Sequence, residues 1–146
     1  ADGFLRGKGK LVTIDYEASP EHGVDGFEYL LVTGRLLEHY NVGTMTRRTP
    51  QDELVDSDVL EINPVDATKE KIDDGQVVHL ASRWGEIDVP VTLSPRVAPG
   101  TLFLTFHYPD TNTNRLTGPT LDPQSKCPQY KATAVKISTN GGTNDG

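Results

Sequence analysis

The feature that most constrains the fold is a short apolar run that ends in a glycine turn. Residues 29–32 are continuously apolar, and the run is too short for a helix that buries itself. It therefore predicts a strand that is covered on both faces. The run stops at Thr33, Gly34 and Arg35, where the glycine permits a turn with positive φ or the close approach of a ligand.

A polar stretch with phosphate-binding chemistry follows this turn. Residues 36–48 carry hydroxyl groups, a glycine and the adjacent guanidinium groups of Arg47 and Arg48, close in sequence to Arg35. Turn amides form concavities that bind anions, and arginine pairs bidentately with phosphate oxygens. The residue types alone are compatible both with a phosphate site and with an ordinary solvated turn, because arginines are common on protein surfaces.

Length and charge exclude several classes of protein. A chain of 146 residues predicts one domain with its own core, and a net charge of −7 argues against broad binding to nucleic acid. No apolar run approaches the length of a membrane span, so we expect no membrane insertion. The single cysteine, Cys127, excludes an internal disulfide and indicates a reducing compartment, which favours the cytoplasm and leaves the periplasm possible. Because the chain opens with Ala1, we expect a piece of a longer protein.

Period-two alternation of apolar residues recurs along the chain and predicts a mainly β domain. Alternation is clearest in residues 86–93, where Pro90 indicates an edge or a bulge because proline cannot donate to a ladder. Asn63 and Pro64 predict the start of a short helix that runs to about Ile72. Other predicted strands cover residues 11–16, 29–32, 59–62, 76–82, 101–107 and 132–137. A small closed barrel would hide the edges of these strands, and a sandwich is the alternative.

The chain divides into three parts in this interpretation. Residues 1–26 form an arm that packs on the domain, residues 27–138 form the barrel, and residues 139–146 form a frayed tail. Within the barrel, residues 108–131 are a long polar loop with few core formers. A loop of this length inside a compact domain is usually either functional or disordered, and composition does not decide between the two.

The usual catalytic motifs are absent from the sequence. It contains no nucleotide-binding glycine motif, no zinc protease motif and no serine nucleophile motif. The four histidines, His22, His39, His79 and His107, do not have the spacing of metal ligands, and His79 is expected to be packed within a strand. We therefore predict no catalytic residue and no metal ligand, and a domain that holds a ligand rather than one that breaks bonds.

Four segments resemble a known family. The segment TGRLLEHYNVGTMTRR resembles the opening of the molybdopterin-dinucleotide-binding domain, found at the C-terminal end of molybdenum or tungsten oxidoreductases, and it is most similar to the large (alpha) subunit of formate dehydrogenase. Three further pieces follow in the family's order: residues 61–107, 114–117 and 128–131. The resemblance covers roughly residues 28–137. It implies a six-stranded double-psi β-barrel with one or two short helices.

The resemblance also implies a cofactor and a set of residues that bind it. The cofactor is molybdopterin guanine dinucleotide, whose molybdenum or tungsten is held by the rest of the subunit. The implied cofactor-binding residues are Thr33, Gly34, Arg35, His39, Tyr40, Thr44, Met45, His107, Asn114, Tyr130 and Lys131. The implied partners are the remaining domains of the catalytic subunit and its electron-transfer subunits.

The resemblance leaves the exact activity open. Formate oxidation to carbon dioxide by the whole subunit is the first interpretation. The same domain occurs in relatives such as nitrate reductase and formylmethanofuran dehydrogenase, and a free-standing double-psi barrel can serve as a protein-interaction module. The family's iron–sulfur cysteine motif and its cysteine or selenocysteine metal ligand are not in this sequence, so we expect the chain alone not to oxidise formate.

Overall fold

The structure is a computed structural model and describes residues 7–139. In this range, six strands form a closed barrel, accompanied by one α-helix and three 3-10 turns. The strands are β1 (Tyr29–Gly34), β2 (Leu60–Ile62), β3 (Val77–Ser82), β4 (Glu86–Leu93), β5 (Thr101–Thr105) and β6 (Thr133–Ser138). The helix α1 is Pro64–Glu70, and the 3-10 turns are Thr46–Arg48, Pro50–Glu53 and Thr113–Leu116. The prediction of a mainly β, six-stranded barrel is confirmed.

The strands follow the order β1-β5-β2-β4-β3-β6 around the barrel. β1 runs parallel to β5, and β2 runs parallel to β4, whereas the other four neighbouring pairs are antiparallel. The two parallel pairs adjoin through β5 and β2, which is the interlocked arrangement expected of a double-psi barrel. Gly34 lies opposite Thr105, so β1 and β5 end together at one end of the barrel.

Inward-facing aliphatic side chains fill the barrel. β4 shows the predicted alternation, because Ile87, Val89 and Val91 are buried while Glu86 and Asp88 are exposed. The other fully buried aliphatic residues include Leu31, Leu60, Ile62, Leu80, Leu102, Leu104, Leu116 and Val135. The expectation that β1 is covered on both faces is only partly correct, since Leu31 is fully buried and its outward neighbours on either side are half-buried.

Local capping explains where α1 begins and ends. The Asn63 side chain accepts a hydrogen bond of 2.9 Å from the Val65 N–H, as its N-cap position predicts. The helix ends at Glu70, two residues before the predicted end, because Lys71 takes the left-handed conformation with φ of 58°. This turn directs Ile72, which is 4% exposed, into the core.

Pro90 lies in the interior of the sheet, although the sequence predicted an edge or a bulge. β4 has β3 on one side and β2 on the other. The Val91 N–H donates to Gln76 on the β3 side, so the nitrogen of Pro90 faces the β2 side. Pairing with β2 begins one residue later, where Leu60 lies opposite Val91. The missing N–H of the proline therefore removes no ladder hydrogen bond.

One local prediction was wrong. Residues 11–16 form no strand and are exposed, because no neighbouring strand pairs with them in the part of the chain described. The long loop contains the 3-10 turn Thr113–Leu116, with both terminal residues buried, and an antiparallel bridge between Leu121 and Pro128. His79 lies within β3, as expected, where it is half-buried and paired with Asp88 at 2.9 Å. The beginning of the predicted arm, residues 1–6, and most of the predicted tail, residues 140–146, lie outside the described residues.

Candidate ligand-binding site

Two adjoining clefts lie at the end of the barrel where β1 and β5 terminate. The first cleft has a volume of about 410 Å³ and the second about 310 Å³. Val42, Phe106 and Asn114 line both clefts and form the boundary between them. The first is otherwise lined by Thr33, Arg35, Asn41, Tyr130 and Lys131, and the second by Thr44, Arg47, His107, Tyr108, Pro109, Asn112 and Thr113.

Arg35 presents an unpaired guanidinium group in the first cleft. It follows directly after β1, and its Cζ lies 5.4 Å from the centre of the Phe106 ring. Within residues 7–139, no carboxylate forms an ion pair with it. The aromatic ring orients the planar guanidinium group through a cation–π contact and leaves its N–H groups for another acceptor.

Arg47 presents a second guanidinium group in the second cleft. Its Cζ lies 5.5 Å from the centre of the Tyr108 ring, and Nη2 reaches the Val42 carbonyl only at 3.5 Å. Its Nε is buried and has no hydrogen-bond partner among the described residues. A buried donor without an acceptor is unfavourable, so this group indicates a site where a ligand supplies the acceptor.

A glycine in the preceding loop creates the space for Arg47. Gly43 has a φ of +67°, which favours glycine. A Cβ atom built at Gly43 would lie 2.9 Å from both Cγ and Nε of Arg47. Any side chain at this position would therefore force the Arg47 side chain to shift.

His107 is a fully buried residue whose ring holds the loop that follows β1. The Leu36 N–H donates to His107 Nε2 at 2.9 Å, so this nitrogen is the acceptor. The proton is therefore on Nδ1, which donates to the carbonyl of Asn41. Together the two bonds fix residues 35–41 against the end of β5.

Asp58 is a buried carboxylate of the site that no sequence motif indicates. Its oxygens accept hydrogen bonds from the Thr105 hydroxyl at 2.5 Å and from the N–H groups of His107 and Tyr108 at 3.0 Å. Three donors satisfy one buried carboxylate, as burial of a charge requires. Asp58 thereby sets the course of the chain at the point where it leaves β5 and forms the wall of the second cleft.

A second hydrogen-bonded cluster surrounds His39. The ring is 3% exposed, and its Nε2 donates to the Val55 carbonyl at 2.9 Å, while Nδ1 accepts from the Thr46 hydroxyl at 3.0 Å. The Tyr108 hydroxyl lies 2.7 Å from the same Nε2 and donates to Asp52 at 3.0 Å. Burial, aided by the bond to Asp52, raises the pKa of Tyr108 far above its usual range.

Residues that are far apart in the sequence meet at the first cleft. The Thr33 hydroxyl donates to the carbonyl of Tyr130 at 2.7 Å, and the Lys131 ammonium donates to the carbonyl of Thr33. The end of β1 thereby anchors the segment that leads into β6. Lys131 and the phenol ring of Tyr130, which is 45% exposed, are both part of the cleft lining.

The clefts bring together most of the residues that the resemblance implied. Thr33, Arg35, Thr44, His107, Asn114, Tyr130 and Lys131 line one or both of them. His39 is buried behind the second cleft, whereas Tyr40 and Met45 are 64% and 66% exposed on the loop after β1 and line neither cleft.

Gly34 also lines neither cleft, and its role in the fold differs from the one expected. Its φ is not positive, and a Cβ atom there would lie 2.3 Å from Cε2 of Phe103. The glycine is required by the aromatic ring on the neighbouring strand, and the turn itself does not need it.

The predicted strand 101–107 would place Phe106 on the same face as Leu102 and Leu104. β5 ends at Thr105, so the alternation stops one residue earlier and the Phe106 ring lies between the two clefts. A strand end that is fixed by a distant carboxylate leaves no local signal in the sequence. Asn41 and Asn112, both with positive φ, are further lining residues that asparagine-rich turns could have indicated.

Residues 7–139 contain no cluster of metal-ligating side chains and no helix of the kind that spans a membrane. No three His, Cys, Asp or Glu side chains in this range come together as ligands for a metal ion. None of the helices in the same range is both long and apolar enough to traverse a lipid bilayer.

The fold and the clefts define a class: a small closed barrel with a guanidinium-lined site at the common end of two parallel strands. Residues 29–134 match the family described as the molydopterin dinucleotide binding domain. The match covers most of the chain, and the chain belongs to this family. Its cofactor class is therefore a molybdopterin dinucleotide, as the resemblance implied.

Curated relatives and a solved structure agree with this family. The chain is 38% identical over 139 residues to the F420-dependent formate dehydrogenase subunit alpha of Methanocaldococcus jannaschii, covering 93% of the chain and 21% of that protein. It is 38% identical over 133 residues to the F420-dependent formate dehydrogenase 1 subunit alpha of Methanococcus maripaludis, covering 90% and 20%. The chain thus spans about a fifth of the length of these relatives.

Acetylene hydratase from Pelobacter acetylenicus shares the fold. The TM-score is 0.69 at 12% sequence identity, and the similarity covers 78% of this chain and 18% of that one. At this identity the likeness concerns the barrel alone.

Proposed function

We propose that this chain is the cofactor-binding domain of a formate dehydrogenase alpha subunit and holds molybdopterin guanine dinucleotide in its two clefts. One observation carries the proposal: Arg35 and Arg47 line adjoining clefts without a carboxylate partner among residues 7–139, although the chain has a net charge of −7. Guanidinium groups kept free in an acidic protein suit the phosphates of a dinucleotide.

The donors and rings of the clefts fit such a cofactor. The buried Nε of Arg47 lacks an acceptor within the described residues, and a phosphate oxygen would supply one. Phe106 and Tyr130 offer flat surfaces to a ring system, and Asn114, on the boundary of the two clefts, offers an amide to polar edges. When bound, the cofactor supplies the redox chemistry for formate oxidation to carbon dioxide.

The residues implied by the resemblance divide into two proposed roles. Direct contact with the cofactor is proposed for the seven that line the clefts: Thr33, Arg35, Thr44, His107, Asn114, Tyr130 and Lys131. His39 and Gly34 support the walls, through hydrogen bonds and through packing on Phe103, respectively. Contact by Tyr40 and Met45 stays a prediction. Arg47 is added here as a phosphate-binding residue on the basis of its unpartnered nitrogen.

The formate dehydrogenase assignment rests on the relatives. Both curated relatives named above are formate dehydrogenase alpha subunits about five times as long as the matched region. The activity of the whole subunit, its other domains and its electron-transfer subunits are therefore proposed as the context in which this domain works. Placement in the cytoplasm stays a prediction.

An NMR titration of the 146-residue chain with GDP tests the proposed site. GDP carries the guanine and the diphosphate of the dinucleotide, and it is compared with GMP and ADP. We expect amide shifts in residues 33–48 and 114–131, larger with GDP than with GMP because the second phosphate adds acceptors for the arginines. ADP has the same diphosphate as GDP but a different base, so the comparison of the two separates recognition of the base from recognition of the phosphates. Saturating GDP that moves no amide in either segment would contradict the proposal.

A further inference from the structure

Glu21, in the arm that precedes the barrel, is buried. Its residue exposure is 4%, whereas residues 7–18 of the same arm are all exposed. A carboxylate is buried at a large penalty unless it is paired and hydrogen-bonded. Its partners therefore show what holds the arm on the barrel.

Both carboxylate oxygens of Glu21 bind elements of the barrel. Oε2 accepts a hydrogen bond of 2.9 Å from the buried N–H of Ala134, the second residue of β6. Oε1 pairs with the guanidinium group of Arg83, at the tip of the hairpin between β3 and β4. Arg83 in turn lies over the Trp84 ring at 5.0 Å. One side chain thus joins the arm to two separate parts of the barrel.

Ser19, two residues earlier, binds the segment that leads into β6. Its hydroxyl oxygen accepts from the Gln129 side chain at 2.5 Å and from the Glu21 N–H at 3.1 Å. The arm consequently holds residue 129 through Ser19 and residue 134 through Glu21. Tyr130 and Lys131, which line the first cleft, lie between these two attachment points.

We infer that Glu21, assisted by Ser19, is a positioning residue for the first cleft, an inference that rests on the proposed function of that cleft. Fixing both flanks of the segment 129–134 restricts where Tyr130 and Lys131 stand relative to Thr33. Glu21 itself lines neither cleft, and it precedes the matched family region, which begins at residue 29. The arm therefore contributes to ligand affinity through the backbone of another segment.

The test compares Glu21→Ala and Glu21→Gln with Glu17→Ala, an exposed glutamate of the same arm, in the 146-residue chain. Glu21→Ala should weaken GDP binding by about tenfold, and Glu21→Gln by about threefold, because the amide oxygen can still accept from Ala134 while the ion pair is lost. In the ligand-free chain, Glu21→Ala should also shift the amide signals of Tyr130 and Lys131 and speed their hydrogen exchange. Glu17→Ala should change none of these.

Two results would overturn the inference. Wild-type amide signals at Tyr130 and Lys131 in Glu21→Ala would show that the arm does not position them. Shifted signals with unchanged GDP affinity would show that the positioning has no bearing on the ligand. If the alanine variant does not fold, the glutamine variant is judged by the same two criteria. The ligand-free signals decide the structural step even if GDP fails to bind the wild type, which would count against the proposed function instead.

Discussion

Two sets of polar groups lie at the same end of the barrel and differ in how their hydrogen bonds are used. In the walls of the clefts, Asp58 and His107 are fully buried, and each makes hydrogen bonds to other parts of the chain through both of its polar side-chain atoms. By contrast, Arg35 has no ion pair within residues 7–139, and the buried Nε of Arg47 has no acceptor there. The first set uses its hydrogen bonds to build the walls, and the second keeps donors for a ligand.

The largest loss of stability is expected when Asp58, one of the two buried groups that build the walls, is replaced. Asp58→Ala leaves the Thr105 hydroxyl and the N–H groups of His107 and Tyr108 without their acceptor. We expect the free energy of unfolding to fall by about 3 kcal/mol or more, since each buried donor left unpaired is unfavourable. Urea denaturation followed by circular dichroism measures this change.

Asp56→Ala is the matched control, because Asp56 is exposed and two residues away. We expect it to change the free energy of unfolding by less than about 0.5 kcal/mol. If Asp58→Ala fails to fold, Asp58→Asn serves, since it keeps the shape and turns one acceptor into a donor. Equal stability of the Asp58 and Asp56 variants would refute the structural role.

For the two arginines that keep donors for a ligand, we expect a small effect on stability and a large effect on ligand binding. Arg47→Ala removes a guanidinium group that, within residues 7–139, hydrogen-bonds a Val42 carbonyl at 3.5 Å and lies against the ring of Tyr108. We expect the free energy of unfolding to change by less than about 1 kcal/mol. GDP binding should weaken by about 1.5–3 kcal/mol, tenfold or more, because a charge-assisted bond to phosphate is lost.

Arg48→Ala, at an adjacent exposed arginine that lines neither cleft, controls for a general loss of positive charge. Calorimetric titration with GDP at two salt concentrations compares the variants. The same loss of affinity in both would mean that the arginines act only through long-range charge. That result would remove the distinction between the two sets.

A smaller loss of GDP affinity is expected for a substitution at Gly43, because this residue has a positive φ and also lies against the Arg47 side chain. Gly43→Ala places a Cβ 2.9 Å from the Arg47 side chain at a φ of +67°. Gly75→Ala has the same kind of φ, +78°, with nothing within 4 Å. Each should lose about 1 kcal/mol of stability from the strained backbone. Only Gly43→Ala should also weaken GDP binding, and equal GDP affinity in the two variants would show that Arg47 does not need its present position.

Local patterns in the sequence predicted most of the barrel. β4 was predicted because alternation is a property of neighbouring residues, and the start of α1 was predicted because Asn63 and Pro64 act within one turn. Residues 11–16 alternate in the same way and form no strand, since a strand also requires a partner. No local pattern reports whether a partner is present.

The site was predictable in part, and the missing residues depend on distant contacts. Arg35 and Asn114 could be named from motifs, and the structure places both at the clefts. Asp58 reads as one more surface acid until its three donors from residues 105–108 surround it. The sequence suggests that Gly34 allows a ligand to approach. In the structure, the ring of Phe103, on a strand far along the chain, fills the space beside it.

The smallest predicted effect lies at the other end of β1, where a satisfied polar pair is partly open to solvent. The Tyr29 hydroxyl donates to Glu70 at 2.6 Å, and this bond, followed by the one from Lys69, lowers the pKa of Glu70. A lowered carboxyl pKa adds stability that is complete above the unfolded value, roughly pH 4.3, and is lost as the pH falls through the folded value.

Tyr29→Phe removes the phenol donor, so it should lower the free energy of unfolding by about 0.5–1 kcal/mol at neutral pH. The difference from the wild type should shrink below roughly pH 4, where Glu70 takes up a proton in the wild type. Urea denaturation from neutral to acidic pH measures both, with the exposed Tyr16→Phe as a control that should track the wild type. A difference that stays constant with pH would mean that the bond stabilises the fold without depending on the carboxylate charge.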